Sequence, residues 1–269
     1  GGVTSLEMAA KWQALGASAI ILYESKDFPL IRAIAAGTGL EVEITANLWC
    51  MPSCNQRFHH ANVDTASSLE RSPRGEYSLP LCETRCSLEK YAEPRRLLAA
   101  HWMRPEDVGF YEQLGVSRLK VLDRSSTTPF LERALEAYTS RRYDGNLVDL
   151  ILGLHRERYS LPLQPRRLAR LARAFFRPGL LDIARARAFQ RRSQPPRMEI
   201  LGAQLEGFLE GLARRDCRLL ACDACRYCDA WAERAIRFDE AERAAYLEGI
   251  RQNLSDLDSG RLFRTDAGE

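Results

Sequence analysis

The sequence lacks the two features that direct a chain into or across a membrane. No run of residues approaches the roughly 18 consecutive apolar positions that mark a transmembrane helix. The N-terminal stretch has no basic segment followed by an apolar core, so no signal peptide is predicted. These absences predict a cytoplasmic protein that does not act on a membrane.

The sequence also lacks two motifs that mark common hydrolases. It contains neither a Gly-x-Ser-x-Gly elbow, which presents a nucleophilic serine, nor a His-Glu-x-x-His zinc pair. Neither class of hydrolase is therefore indicated. Any catalytic cysteine and histidine would have to come from residues that are also candidate metal ligands.

Lysine is scarce, and arginine supplies most of the positive charge. Only four lysines occur, whereas the segment from Arg156 to Arg197 holds twelve arginines against Glu157 and Asp182. Two interpretations fit this basic segment: a helical surface in contact with water, or a surface that binds RNA or another polyanion. The net charge of +3 for the whole chain does not distinguish them.

Cysteine, by contrast, occurs in an informative arrangement. The eight cysteines form two tight groups, the first of Cys50, Cys54, Cys82 and Cys86 and the second of Cys217, Cys222, Cys225 and Cys228. Disulfide-dense chains are usually small and exported, and nothing in this sequence signals export. The grouping therefore predicts metal ligands, with buried unliganded thiols as the alternative.

The first cysteine group consists of two pairs with equal spacing. Three residues separate Cys50 from Cys54, and three separate Cys82 from Cys86. Four thiolates suit a tetrahedral zinc ion or an iron-sulfur cluster, and the spacing alone does not choose between them. His59 and His60 follow the first pair closely, so either could contact the metal or a substrate, or serve only as a surface residue.

The second cysteine group is a denser run. Two residues separate Cys222 from Cys225 and Cys225 from Cys228, and Cys217 precedes them. Such gaps occur in bacterial ferredoxins and in zinc ribbons, because neighbouring thiolates can then face one centre around a turn. The run predicts a second metal, either zinc or a second cluster, with thiols in a helical hairpin as the alternative.

Residues 1–125 alternate between helical and strand patterns, which predicts an α/β fold with a parallel sheet. The expected helices are Ser5–Leu15, Phe28–Ala36 and Arg104–Leu114, and the expected strands are Ala17–Tyr23, Glu41–Leu48, Ala99–Met103 and Val116–Leu122. A closed eight-stranded barrel needs twice as many strands. We therefore interpret this domain as the C-terminal half of a TIM-like (β/α) barrel with a cysteine-rich insertion. The missing half would come from upstream sequence or from a protein partner.

Residues 126–269 form the second predicted domain, a mainly helical region that carries the second cysteine group. Turn-forming residues separate its apolar segments. The expected helices are Phe130–Arg141, Leu147–Arg158, Pro165–Phe176, Leu180–Arg191, Leu201–Arg214, Asp223–Phe238 and Glu240–Asn253.

Three further motifs follow the first cysteine group in a recognisable order. They are Arg104-Pro-Glu-Asp-Val-Gly-Phe-Tyr-Glu-Gln-Leu-Gly-Val, Arg118-Leu-Lys-Val-Leu-Asp-Arg124 and Tyr143-Asp-Gly-Asn-Leu147. With the cysteine pairs, this order resembles peptidase family U32 over roughly residues 2–150. Lys120 and Arg124 match that family's Lys-Ile-Glu-Gly-Arg-like motif, although Leu122 and Asp123 replace its glutamate and glycine.

The resemblance implies a [4Fe-4S] cluster held by the first cysteine group, and an oxygen-independent hydroxylation of RNA or of a small molecule. It makes Lys120, Arg124, His59 and His60 the candidate catalytic residues. The family's older description as peptidases supports a second hypothesis, a hydrolase. The third hypothesis is a non-catalytic accessory protein that holds its metal for structure and binds RNA or a protein partner.

Overall fold

A computed structural model describes residues 3–52, 54, 56–60, 62, 81–122, 126–154, 183–217, 219 and 221–262. Its strands are β1 (Ala19–Leu22), β2 (Glu41–Thr45), β3 (Val116–Lys120), β4 (Met198–Ile200) and β5 (Ile236–Phe238). Its α-helices are α1 (Leu6–Ala14), α2 (Phe28–Gly37), α3 (Leu81–Ala92), α4 (Arg95–Ala99), α5 (Val108–Gln113), α6 (Thr128–Ser140), α7 (Ile183–Arg192), α8 (Phe208–Ala213), α9 (Cys222–Cys225), α10 (Tyr227–Ala235) and α11 (Glu240–Asp258). Short 3-10 helices lie at Pro105–Asp107, Leu147–Leu150 and Gly202–Leu205.

The chain forms two compact units, each assembled from separated stretches of sequence. The first unit takes the described parts of Gly1–Ser53, Pro94–Tyr159 and Met198–Arg237. The second takes those of Cys54–Glu93, Ser160–Arg197 and Phe238–Glu269. Both units use residues from either side of position 125. The predicted domain boundary at that position stays a prediction and coincides with neither unit.

A parallel three-stranded sheet organises the first unit. Its strand order is β1-β2-β3, and α2 connects β1 to β2. Ile20, Leu22, Val42 and Ile44 alternate along β1 and β2 and are buried, as the apolar patterns predicted. These findings confirm three of the four expected strands. The half-barrel interpretation stays a prediction, because the described residues show this three-stranded sheet and no barrel.

The fourth expected strand, Ala99–Met103, is wrong. Helix α4 ends at Ala99, and an extended segment follows it. The backbone N–H of Met103 donates to the carbonyl of Ala46 at 2.9 Å, and that of His101 donates to the carbonyl of Cys50 at 3.0 Å. An apolar run indicates that a segment is buried, but not which backbone conformation it adopts. Here the buried residues belong to the end of a short helix and to an extended segment.

The region after residue 126 contains two short strands and broken helices, which corrects several of the helices expected there. Strands β4 and β5 pair in a second sheet. The expected helix Leu147–Arg158 is only the 3-10 turn Leu147–Leu150 before the described residues end at 154, and the expected helices Leu201–Arg214 and Asp223–Phe238 are each interrupted. Helices α6, α7 and α11 confirm three others, whereas Pro165–Phe176 lies outside the described residues.

The second unit is built on helices α3, α7 and α11. The ring of Tyr91 on α3 packs edge-on against Tyr246 of α11, with centroids 4.9 Å apart. On α7, the Arg192 guanidinium donates to Asn253 at 2.7 Å and to Asp256 at 2.5 Å. Within the described part of the chain, no helix combines the length and apolar character needed to cross a bilayer.

The N-terminal cap of helix α1 can be tested by mutation. Ser5 is its N-cap, because the Ser5 hydroxyl accepts the hydrogen bond from Met8 N at 3.1 Å. We expect Ser5→Ala to lower the free energy of unfolding by about 1 kcal/mol, because the Met8 N–H loses its acceptor. Thr4→Ala is the matched control, and urea unfolding should show almost no change for it. Equal losses would contradict this cap assignment.

Candidate functional site

Polar residues follow β1 and β2 at the carboxyl edge of the parallel sheet. Glu24, Ser25 and Lys26 come just after β1, and Asn47 and Cys50 come just after β2. Parallel α/β folds place their functional groups at this edge, because loops from neighbouring strands meet there. We therefore take this edge as the candidate functional site of the first unit.

Asn47 holds the backbone in position at this edge. Its side chain is fully buried, its amide nitrogen donates to the carbonyl of Leu122 at 2.6 Å, and its amide oxygen accepts from Leu122 N at 2.8 Å. The residues after β2 are thereby tied to the residues after β3. The position of Cys50, three residues further along the chain, depends on this link.

His101 is a buried histidine beside the Cys50 backbone. Its Nε2 lies 3.0 Å from a carboxylate oxygen of Glu24, and its Nδ1 lies 3.5 Å from the Ser25 hydroxyl. The backbone N–H of His101 also donates to the Cys50 carbonyl at 3.0 Å. An imidazole paired with a carboxylate can hold or exchange a proton at this position.

Lys26 places an ammonium group at the same edge. Its Nζ donates to the carbonyls of Leu98 and Ala100, both at 2.5 Å, and lies 5.2 Å from the centre of the Trp102 ring. The residue as a whole is half-buried, yet its ammonium is enclosed enough that burial lowers the pKa to about 7. Cys228 opposes this effect by raising the pKa of Lys26.

The second cysteine group lies close to Lys26. Burial raises the pKa of the Cys228 thiol to about 12, the Lys26 ammonium lowers it, and Cys217, Cys222 and Cys225 raise it further. Burial likewise raises the pKa of Cys217, and Cys222 and Cys225 add to that effect. Cys217 and Cys228 are therefore within electrostatic range of Lys26, and both are within range of Cys222 and Cys225.

The first cysteine group is distributed over both units. Cys50 belongs to the first, whereas Cys54, Cys82 and Cys86 belong to the second. Cys82 and Cys86 lie four residues apart on α3, which places them on one face of that helix. None of the eight cysteines is in a disulfide. Among the described residues, no three cysteine, histidine or carboxylate side chains are arranged to hold a metal ion as they stand.

Of the predicted catalytic residues, Lys120 lies at this edge, whereas His59 and His60 belong to the second unit. His60 lies in the second unit, 3.2 Å from Glu83, and His59 is exposed in the same unit. Lys120 is exposed at the end of β3, and its carbonyl accepts from Ala46 N. Arg124 lies outside the described residues.

The basic segment is described only from residue 183 onward, where ion pairs involve two of its arginines. Arg192 contacts Asp256, and Arg197 contacts Asp239 and Glu242 at 2.6 and 2.8 Å. Pairing within the protein reduces the charge that these two side chains could offer to a polyanion. The prediction of RNA contact for the whole segment stays a prediction.

The comparisons with known proteins give one partial match. The chain is 27% identical over 152 residues to a Methanocaldococcus jannaschii protein named an uncharacterized protease. The match covers 55% of this chain and 44% of that relative, so the chain spans less than half of the relative's length. No family model matches the chain, and the search of solved structures gave no match.

Sequence reasoning missed Lys26 and His101. Neither residue belongs to a motif, because its role depends on Leu98, Trp102 and Glu24, which only the fold brings near. One signal was available for Lys26, since polar residues just after a buried parallel strand often belong to functional sites. For His101, the surrounding apolar residues indicated burial only.

Proposed function

We propose that this chain is part of a U32-like iron-sulfur enzyme that carries out an oxygen-independent hydroxylation or a related redox modification. The observation that carries the proposal is the position of Cys50, directly after β2 at the carboxyl edge of a parallel sheet. Four thiolates are also the usual ligands of a [4Fe-4S] cluster. Cys82 and Cys86 share one face of a helix, and no cysteine is in a disulfide.

In this proposal Cys50, Cys54, Cys82 and Cys86 hold a [4Fe-4S] cluster, which supplies one-electron transfer when bound. His101 replaces His59 and His60 as the proposed proton-holding residue, because it lies beside the Cys50 backbone and is paired with Glu24. RNA and small molecules are the proposed substrate classes. The substrate assignment rests on the resemblance to the family alone.

The test is anaerobic purification of the whole chain, followed by absorbance, EPR, and iron, sulfide and zinc analysis. We expect a cluster of about four irons and four sulfides per chain that is lost in Cys50→Ser. His101→Phe should retain the iron and lose formation of a hydroxylated product. A wild-type chain without sulfide, or one whose iron is unaffected by Cys50→Ser, would contradict the proposal.

The second candidate function is peptide hydrolysis, which the name of the Methanocaldococcus jannaschii relative favours. Among the described residues, Ser25, His101 and Glu24 form a group that could be considered for this role. However, Ser25 is fully buried and its hydroxyl lies 3.5 Å from His101, beyond the usual reach for activation. Cleavage of a peptide library by the metal-free chain, lost in Ser25→Ala, would establish this alternative instead.

A further inference from the structure

The second cysteine group sits on a structured turn of the first unit. Cys222 and Cys225 begin and end the helical turn α9, so their side chains start from the same side of that turn. Arg226 follows with a left-handed backbone, φ 50°, and this reverses the chain into α10, where Cys228 lies in the first turn. Three thiols therefore lie around one chain reversal.

One arginine ties both sides of this reversal to the body of the unit. Arg95 on α4 lies 2.6 Å from Asp223 of α9 and 3.5 Å from Asp229 of α10. The side chains of Arg95 and Asp229 are 15% and 24% exposed, so this pair is better shielded from water than an ordinary surface pair, whereas Asp223 is exposed. The relative placement of Cys222, Cys225 and Cys228 is thereby held without a metal.

A separate contact brings Cys217 to the same place. Arg215 is two residues before Cys217, and Tyr227 directly precedes Cys228. The Arg215 guanidinium lies 3.8 Å from the centre of the Tyr227 ring. The Tyr227 ring also stacks on Phe208 with centroids 5.8 Å apart, and its hydroxyl donates to the Phe208 carbonyl at 2.9 Å. The fourth thiol is therefore anchored near the other three.

Charge and access favour a bound anionic centre here. Lys26 lies within electrostatic range of Cys217 and Cys228, and its Nζ is 5.9 Å from the Phe208 ring centre. Four thiolates around a metal centre carry a net negative charge, which a neighbouring ammonium stabilises. Cys217 and Cys222 are exposed, whereas Cys225 and Cys228 are half-buried, so iron and sulfide can reach the group from one side.

From these contacts we propose that Cys217, Cys222, Cys225 and Cys228 bind a second [4Fe-4S] cluster, separate from the one proposed on the first group. Two successive gaps of two residues match the ferredoxin run more closely than paired zinc ligands do. The present side-chain positions do not form a ligating group, so rotation of the thiols accompanies binding. The fixed backbone around Arg226 limits that rearrangement to side chains.

The experiment uses the whole chain, reconstituted with iron and sulfide without oxygen, and two matched double variants. We expect about eight irons in the wild type and about four in Cys222→Ser/Cys225→Ser and in Cys82→Ser/Cys86→Ser, each of which removes two thiols from one group. Iron that is unchanged in Cys222→Ser/Cys225→Ser would overturn the second site. Loss of about one zinc and no iron from that variant would overturn the cluster assignment.

The same pair of variants separates this inference from the proposed function. If only Cys222→Ser/Cys225→Ser loses iron, the second site stands and the first cluster fails. If only Cys82→Ser/Cys86→Ser loses iron, the first cluster stands and the second site fails.

Alkylation of the wild-type chain provides a measurement that needs no mutation. Peptides carrying Cys217 and Cys222 should resist iodoacetamide when loaded and react after the cluster is removed. Equal labelling in both states would overturn the site.

Discussion

Replacing Arg104 with methionine is expected to lower the free energy of unfolding by about 3 to 5 kcal/mol. The Arg104 and Asp107 side chains are only 9% and 7% exposed, and Nε of Arg104 donates to Asp107 at 2.8 Å. Arg104 also donates to the carbonyl of Gly202 at 2.9 Å. Methionine leaves a buried carboxylate and a carbonyl without these donors. Urea unfolding followed by circular dichroism measures the loss.

Two control variants identify the cause of that loss. Arg142→Met removes an exposed partner of Asp144 and should leave the free energy of unfolding almost unchanged, because water solvates the remaining carboxylate. Arg104→Met/Asp107→Leu should recover part of the stability, since no unpaired charge stays buried. Similar losses for Arg104→Met and Arg142→Met would contradict the assigned role of the buried pair.

The second large effect is expected for Asn47→Ala. Both amide atoms of Asn47, whose side chain is fully buried, bond the backbone of the half-buried Leu122, so alanine leaves one N–H and one carbonyl without these partners. Each unsatisfied group costs about 1 to 3 kcal/mol, which predicts a loss of about 2 to 5 kcal/mol in urea unfolding. We also expect Asn47→Ala to lose iron as Cys50→Ser does, because the link that positions Cys50 is broken.

Asn146→Ala is the matched control for Asn47→Ala. Asn146 makes the same kind of double contact, donating to Met198 O at 2.9 Å and accepting from Ile200 N at 2.9 Å. Its partners Met198 and Ile200 are buried, and its amide oxygen also accepts from Val148 N, so we expect a loss of stability of similar size. Iron content should fall only in Asn47→Ala, because Asn146 bonds Met198 and Ile200 and not the segment after β2. Equal loss of iron in both variants would mean that general destabilisation, and not the Asn47 link, is the cause.

The N-terminal part of the fold could be predicted because its patterns are local. Alternation of Val42 and Ile44 with polar residues identified β2, a short apolar run that ends in polar residues identified β1, and β3 was predicted from its place after a helix and Gly115. The same reasoning failed at Ala99–Met103, whose apolar run suits a buried strand and a buried irregular segment equally. Residues 100–103 are buried, but the strand predicted for this segment was wrong.

The C-terminal part was harder to predict because its breaks lack sequence signals. Arg226 interrupts a helical pattern with a left-handed backbone that glycine or asparagine usually adopts. Strands β4 and β5 are only three residues long, too short to show alternation. The cysteine groups were identified from spacing alone, whereas Lys26 and His101 required contacts between distant parts of the chain.

The interleaving of the two units has a consequence for the protein during its synthesis. The chain passes from one unit to the other five times, and the first unit is not complete until residue 237. A ribosome must therefore release most of the chain before the first unit can finish folding, and its unfinished apolar surface is exposed to aggregation or chaperones during that time. A fragment ending at residue 125 would retain the three strands of the parallel sheet but none of the later segments that complete their unit.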